Sequence, residues 1–195
     1  MLSCKKAPIL LWCAVLIFCG CATGAQNKKH GMETYYQALQ DTEPHKNEIR
    51  QPGSEKERAV IELFVSLYTT YTEDNIRNHV RDLYAHNAYY RDSFTELQGV
   101  ENIESYLIQG THIMHVIAFD LQDVAAHDGD YYFRWITRFS LKRKKEEVIH
   151  FPGMSHVRFN EEGRIVFQQD FWDAVVIYER LPIVGFFIRW LKERR

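Results

Sequence analysis

Hydrophobic residues after position 54 recur every three or four positions, which is the period of an α-helix. The buried side of this first predicted helix consists of Val60, Leu63, Phe64, Leu67, Tyr68 and Tyr71. Ser54, followed three positions later by Glu57, has the pattern of an N-cap and capping box. The sequence therefore predicts a folded region that begins with an amphipathic helix.

Two further helices are predicted downstream. Ile76, Val80 and Leu83 share one side of a helix that begins near Asp74, the residue predicted to cap it. A third helix is predicted over 99–107, and Gly110 is expected to end it. A short strand over 88–94 separates these two helices.

The pattern then changes to long runs rich in aromatic and β-branched residues, which is typical of strands. Strands are predicted over 116–126, 131–141, 148–159 and 164–172. His127-Asp-Gly-Asp130 has hairpin-turn chemistry, and the basic run over 142–145 is interpreted as a solvated hairpin loop. Helices followed by an antiparallel meander predict an α+β domain whose sheet curls around the helices, with Gly153 marking a bulge or bend.

The N-terminus has a different character from the rest of the chain. Two lysines precede an apolar run over 7–18, which is typical of a secretory signal and shorter than the ~20 residues that span a bilayer. The sequence Phe18-Cys-Gly-Cys21 resembles a bacterial lipobox, with Phe18 in place of the usual leucine. The resemblance implies that residues 1–20 are removed and that Cys21 carries acyl chains. An uncleaved anchor and an ordinary cleaved signal are the alternatives.

Residues 21–54 are polar and broken by proline and glycine, which predicts a tether. Within it, Tyr35, Tyr36 and Leu39 have the spacing of a short helix. With Ala22 next to Cys21, the lipoprotein resemblance implies an outer-membrane protein that faces the periplasm. The third region, 55–195, contains the folded domain.

Composition narrows the classes of function. The chain has 46% hydrophobic residues and a net charge of −2, and it lacks a basic stripe with interleaved aromatics, so nucleic-acid binding is not predicted. The four cysteines all lie within the first 21 residues, so thiol chemistry is not expected in the domain. No cofactor fingerprint is found, and no cofactor is predicted.

The order of elements resembles the nuclear transport factor 2-like superfamily, in its SnoaL-like and ketosteroid-isomerase-like branch. The resemblance is carried by Gly153-Met-Ser-His-Val-Arg-Phe159, by the turn over 162–165 and by Asp170-Phe-Trp-Asp173. It implies a cone, in which a curved, mainly antiparallel sheet wraps around three N-terminal helices and lines an apolar cavity. It also implies a homodimer through the outer face of the sheet.

Asp170 is the main candidate for chemistry. Burial in an apolar cavity disfavours the charged carboxylate and raises the pKa of the acid toward values that suit proton transfer. His156, one strand earlier, orients Asp170 if both side chains point inward. A structural aspartate, hydrogen-bonded to a tyrosine or a backbone amide, is the alternative.

Other side chains are expected to line the same pocket. Gln168 and Trp172 share the face of Asp170 because strand side chains alternate. The remaining predicted pocket residues are Tyr84, Tyr90, Asp92, His115, Trp135 and Met154. His112 and His115 are three positions apart but have no third ligand nearby in sequence, so no metal site is predicted.

The last 22 residues are unusually apolar and end in basic residues. They predict a helix that either lies in a membrane interface or packs over the cone or onto a partner. The favoured function is a membrane-anchored protein that binds a small apolar molecule. The alternative is a cofactor-independent isomerase, cyclase or hydrolase with Asp170 as general acid and base. A purely structural dimer with a filled cavity is the third hypothesis.

Overall fold

The computed structural model describes residues 32–45 and 51–194. The predicted signal peptide, Cys21 and much of the tether lie outside these residues. The helices are α1 (Met32–Asp41), α2 (Glu55–Thr69), α3 (Glu73–Leu83), α4 (Val100–Ile113), α5 (Val175–Tyr178) and α6 (Pro182–Glu193). The strands are β1 (Tyr84–Arg91), β2 (Glu96–Gln98), β3 (Met114–His127), β4 (Asp130–Leu141), β5 (Lys144–Phe159) and β6 (Ile165–Trp172).

The six strands form one curved sheet in the order β2-β1-β6-β5-β4-β3, and every pair is antiparallel except β1 with β6. The inner face of the sheet packs against α2, α3 and α4. Phe64 of α2, Ile76 of α3 and Ile103 of α4 share one core with Phe133 and Val157 of the sheet. This arrangement confirms the predicted α+β cone, because burial of one helical side and one sheet face produces a two-layer domain.

The helix boundaries differ from the predictions in two places. Thr72, not Asp74, caps α3, and its hydroxyl accepts from the backbone N–H of Asn75. Helix α4 continues past Gly110 to Ile113. Gly110 leaves room for the Tyr71 side chain, since a Cβ there would lie 3.2 Å from the tyrosine hydroxyl oxygen.

Strands β3, β4 and β5 are longer than predicted, and β6 is one residue shorter. β1 begins at Tyr84, directly after α3, instead of at Ala88, and β5 begins at Lys144 within the basic run. The short strand β2 was not predicted. It pairs antiparallel with β1 and is too short to show a period-two pattern in the sequence.

Gly153 has a different role from the predicted bulge or bend. It pairs regularly with Trp135 on one side and with Trp172 on the other. A Cβ on Gly153 would collide with the indole ring of Trp135. The glycine therefore lets the Trp135 side chain lie flat across β5.

A bulge in the β5–β6 hairpin, and not Gly153, sets the register near Asp170. Phe159 pairs with Ile165, but the next pair is Arg158 with Phe167, so Val166 is an extra residue in β6. From this bulge onward the register places Ser155 opposite Asp170 and His156 opposite Gln169. The bulge thus decides which residues of β5 neighbour the candidate acid.

Helix α1 packs on the outer face of the sheet, and it contains the predicted Tyr35, Tyr36 and Leu39. Ala38 is buried in a small cluster with Tyr89 and Phe167, and Tyr35 and Leu39 pack against that cluster. Arg158 Nη1 also donates to the backbone oxygen of Leu39 (2.7 Å). Part of the face predicted to form a dimer is therefore covered by the chain's own helix.

Candidate functional site

Asp170 lies on the inner face of β6 and is only 8% exposed. Three side chains donate hydrogen bonds to its carboxylate. Ser155 Oγ (2.6 Å) and Gln168 Nε2 (2.9 Å) donate to Oδ1. The Tyr90 hydroxyl (3.0 Å) donates to Oδ2. The donors come from β5, β6 and β1, so the acid is held by three neighbouring strands.

The Ser155 hydroxyl is oriented by Trp135. The indole N–H of Trp135 donates to Ser155 Oγ at 2.9 Å. Since the serine oxygen accepts from the indole, its own hydrogen is free to point at Asp170. Ser155 is thus fixed as a donor to the carboxylate.

A second group of side chains orients the Gln168 amide. Its Oε1 accepts from the Tyr84 hydroxyl (2.6 Å), which leaves Nε2 to donate to Asp170. Tyr68 OH lies within hydrogen-bond distance of both Tyr84 and Gln168. Burial raises the pKa of the Tyr68 and Tyr84 phenols well above the ordinary value, so both stay protonated at neutral pH.

Asp92 lies on the far side of Tyr90. Its Oδ1 accepts from the backbone N–H groups of Phe94 and Thr95, both at 2.8 Å. Its Oδ2 accepts from Tyr106 OH (2.6 Å) and lies 3.5 Å from Tyr90 OH. The Tyr90 hydroxyl is therefore located between two carboxylates, closer to Asp170 than to Asp92.

Burial raises the pKa of Asp170 to about 6. This pKa is a balance of effects, of which burial is the largest. The hydrogen bonds from Ser155, Gln168 and Tyr90 lower the pKa because they favour the charged form, and the negative charge of Asp92 adds to the rise. The acid can consequently exchange a proton near neutral pH, which is the property that a general acid or base requires.

A cavity borders Asp170 between α2 and the inner face of the sheet. Its volume is about 20 Å³, which is room for roughly one water molecule. The wall is mostly apolar, and its polar end is formed by Asp170 and Ser155. The other lining residues are Phe64, Val65, Tyr68, Thr69, Phe119, Leu121 and Trp135.

Several predicted residues lie in this region. Tyr84, Tyr90, Trp135 and Gln168 are buried around Asp170, directly or through one hydrogen-bond partner. Trp172 is on the same face but packs against Phe94 and Phe151, with ring centroids 4.9 and 5.5 Å apart, so it forms the outer part of the core.

His156 and Met154 were wrongly expected to face the pocket. Both lie on the outer face of β5, which is set by the alternation of side chains from Ser155. The His156 ring stacks on Tyr132 and its Nε2 lies 2.5 Å from Asp130 Oδ1. His156 therefore does not contact Asp170, and Met154 pairs with Phe171 on the solvent side.

The two neighbouring histidines, His112 and His115, do not form a metal site. His115 is exposed at the start of β3, and His112 Nε2 lies 2.7 Å from Glu73 Oε2 on the surface. Within residues 32–45 and 51–194, no cluster of metal-ligating side chains is found.

Sequence reasoning missed three members of the network. The position of Ser155 opposite Asp170 can be predicted from the hairpin register only if the bulge at Val166 is known. Tyr68 was identified as a core residue of the first helix, and nothing in its spacing distinguishes the tyrosine hydroxyl from an apolar contact. Tyr106 carries no signal of its own, since it reaches Asp92 only through the packing of α4 on β1.

An α+β cone with a buried acid describes a class of small domains. Within this class, the chain belongs to the SnoaL-like domain family. The family's sequence profile matches residues 64–168. A search of curated protein sequences finds no match.

Solved structures share the fold at low sequence identity. An NTF2-like protein of unknown function from Burkholderia pseudomallei has a TM-score of 0.57 at 8% identity, covering 66% of this chain and 99% of the other. A protein assigned as a SnoaL-like polyketide cyclase from Jannaschia sp. CCS1 has a TM-score of 0.56 at 12% identity, covering 66% and 94%. An LEH-like epoxide hydrolase from M. tuberculosis has 0.52 at 12% identity, covering 66% and 90%.

The raised pKa of Asp170 predicts how Asp170→Asn changes stability. The native acid binds its proton more tightly than the unfolded chain, so its contribution is full below about pH 4 and is lost as the pH rises through about 6. Asp170→Asn is therefore expected to stabilise the protein at pH 8, by up to about 3 kcal/mol, and to have little benefit at pH 4. Thermal unfolding followed by circular dichroism at both pH values measures this. A variant less stable than the wild type at pH 8 contradicts the burial argument.

Proposed function

We propose that this protein binds a small, mainly apolar molecule in the cone, with a polar group of that molecule directed at Asp170. The observation that carries the proposal is the chemistry of the cavity, whose wall is mostly apolar and includes a buried carboxyl and a serine hydroxyl. A few convergent polar groups in an apolar pocket are typical of sites for small molecules.

The ligand must enlarge the cavity, because the present volume accommodates only about one water molecule. Phe119 and Leu121 are the lining residues best placed to move. They are half-buried and belong to β3, which is the edge strand of the described sheet and pairs only with β4. Displacement of these two side chains leaves the three strands around Asp170 in place.

Filling the cavity is expected to abolish binding. Leu121→Trp places a larger side chain in the wall, whereas Val116→Trp adds the same side chain to β3 away from the lining residues. Small molecules that copurify with the full chain are extracted and compared by mass spectrometry. The proposal predicts a compound that the wild type and Val116→Trp retain and that Leu121→Trp lacks. Equal retention by all three proteins contradicts it.

A second candidate function is proton transfer without a cofactor, and the raised pKa of Asp170 favours it. In this reaction Asp170 removes a proton from the carbon next to a carbonyl group and returns it to another carbon, which isomerises the substrate. Tyr90 and Ser155 stabilise the carboxylate form of Asp170, which removes the proton. Between the two steps Asp170 carries that proton as a neutral acid, and the substrate is an enolate. The fold family includes isomerases, cyclases and hydrolases, a range consistent with such an acid.

If the protein is this enzyme, Asp170→Asn is expected to reduce turnover of a ketone substrate by about 10²-fold or more, because asparagine cannot take up the proton. Binding of the substrate is expected to persist, since asparagine has the same size. His156→Gln, on the outer face, serves as the control and retains turnover. Unchanged turnover in Asp170→Asn rules out this reaction.

We further propose that the protein is held in the bacterial cell envelope by lipidation of Cys21, as an outer-membrane lipoprotein that faces the periplasm. The support is the lipobox-like sequence and the polar segment that follows it.

We also propose that a homodimer forms through the part of the outer sheet face that α1 leaves uncovered, where Met154 and Phe171 are exposed.

Mass spectrometry of the protein from the membrane fraction tests the anchor. We expect a mature chain that begins at Cys21 and carries acyl chains. Cys21→Ala is expected to lose the modification, whereas Cys13→Ala, within the apolar run, retains it. An unmodified N-terminus, or a chain that keeps Met1, contradicts lipidation.

A further inference from the structure

Helix α6 exposes an unusually large apolar surface. Six of its large hydrophobic side chains are each between 41 and 60% exposed: Ile183, Val184, Phe186, Phe187, Trp190 and Leu191. At about 100° per residue they occupy one arc of roughly 160° around the helix axis. Within residues 32–45 and 51–194, no helix is both long and apolar enough to span a bilayer, and α6 has only 12 residues.

The opposite side of α6 contacts the end of α5, at Glu179. Gly185 is buried there, and a Cβ on it would collide with the backbone oxygen of Glu179. Arg189 donates to that same oxygen, and Lys192 forms an ion pair with the Glu179 carboxylate. These contacts use the glycine and the basic side of the helix, and they leave the apolar arc exposed. The alternative in which α6 packs over the cone is not observed.

The charged residues of this C-terminal segment are mainly basic. Residues 179–195 contain four arginines and one lysine, and their acidic residues are Glu179 and Glu193. The net charge of this segment is therefore +3. The Arg194 guanidinium lies 3.9 Å from the centroid of the Trp190 ring. An indole beside a cation at the border of an apolar face is suited to the headgroup region of a bilayer.

A second copy of the chain is a poorer fit to this surface. The six side chains together expose the equivalent of about three full side chains, on the order of 600 Å². A standard protein interface buries about 800 Å² on each partner. A helix about 18 Å long therefore provides too little area to form a stable dimer by itself.

We infer that α6 is an interfacial membrane helix, which inserts its apolar arc into the outer part of a bilayer that contains anionic phospholipid. The basic residues at its C-terminal end attract the lipid headgroups, and Trp190 lies at the level of the interface. The inference rests on the geometry of α6 and not on Cys21 or on the chemistry at Asp170. It gives the domain a defined orientation, with the α6 side toward the lipid.

Quenching of Trp190 by brominated lipids tests this inference. The full chain and its Trp190→Phe variant are each reconstituted in vesicles of phosphatidylcholine and phosphatidylglycerol, with bromine at shallow or deep acyl positions. The difference between the two spectra isolates Trp190. We expect roughly twofold quenching of this difference by shallow bromine, less by deep bromine, and weaker quenching in vesicles without phosphatidylglycerol. Absence of quenching overturns the inference.

Matched variants separate α6 from other exposed apolar surfaces. Ile183→Ser with Phe187→Ser is expected to abolish the quenching, whereas Met154→Ser with Phe171→Ser, on the outer sheet face, leaves it unchanged. The quenching is also expected to persist in Cys21→Ala, which separates it from the lipid anchor. If Trp190 is instead shielded without vesicles, in a manner that depends on protein concentration, α6 is an interface between copies and the inference is wrong.

Discussion

The structure depends on keeping one carboxylate, Asp170, inside an apolar cone. An unpaired buried charge is strongly destabilising, so the acid requires donors on nearly every side. The donors come from three strands, which means that β1, β5 and β6 must be in the correct register for the acid to be tolerated. Tyr90 pairs with Gln168 across the parallel strands, and Ser155 pairs with Asp170 across the antiparallel ones. The acid is therefore a constraint on the assembly of the sheet as well as a chemical group.

This constraint extends to residues that never contact Asp170. Ser155 donates in the correct direction because Trp135 occupies its acceptor side. The Trp135 ring lies across β5 only because position 153 is glycine. A substitution at Gly153 thus affects Asp170 indirectly, through Trp135 and then through Ser155. We interpret the Gly153–Ser155 segment, part of the motif that carried the family resemblance, as a device that positions the indole and through it the serine.

The sequence predicted the fold well because the fold is determined by periodicities that are long enough to read. The helix over α2 and the alternation of Gln168, Asp170 and Trp172 were both visible in the residue pattern. The partners of Asp170 on β5 were not visible, because they depend on a single extra residue at Val166. Without that bulge, Met154 and His156 share the face of Asp170, which is the placement that was predicted for them. The orientation of α6 was equally hidden, since it depends on contacts of Glu179 that no periodicity encodes.

The two walls of the cavity differ in how easily they can move. The wall that contains Asp170 is fixed by hydrogen bonds among three central strands, so its geometry is costly to change. The opposite wall includes Phe119 and Leu121 on the edge strand β3, which is paired on one side only. Local opening requires less free energy where fewer backbone hydrogen bonds are broken. A molecule that enters the cone is therefore expected to displace the β3 wall and to meet a carboxyl group whose position does not change.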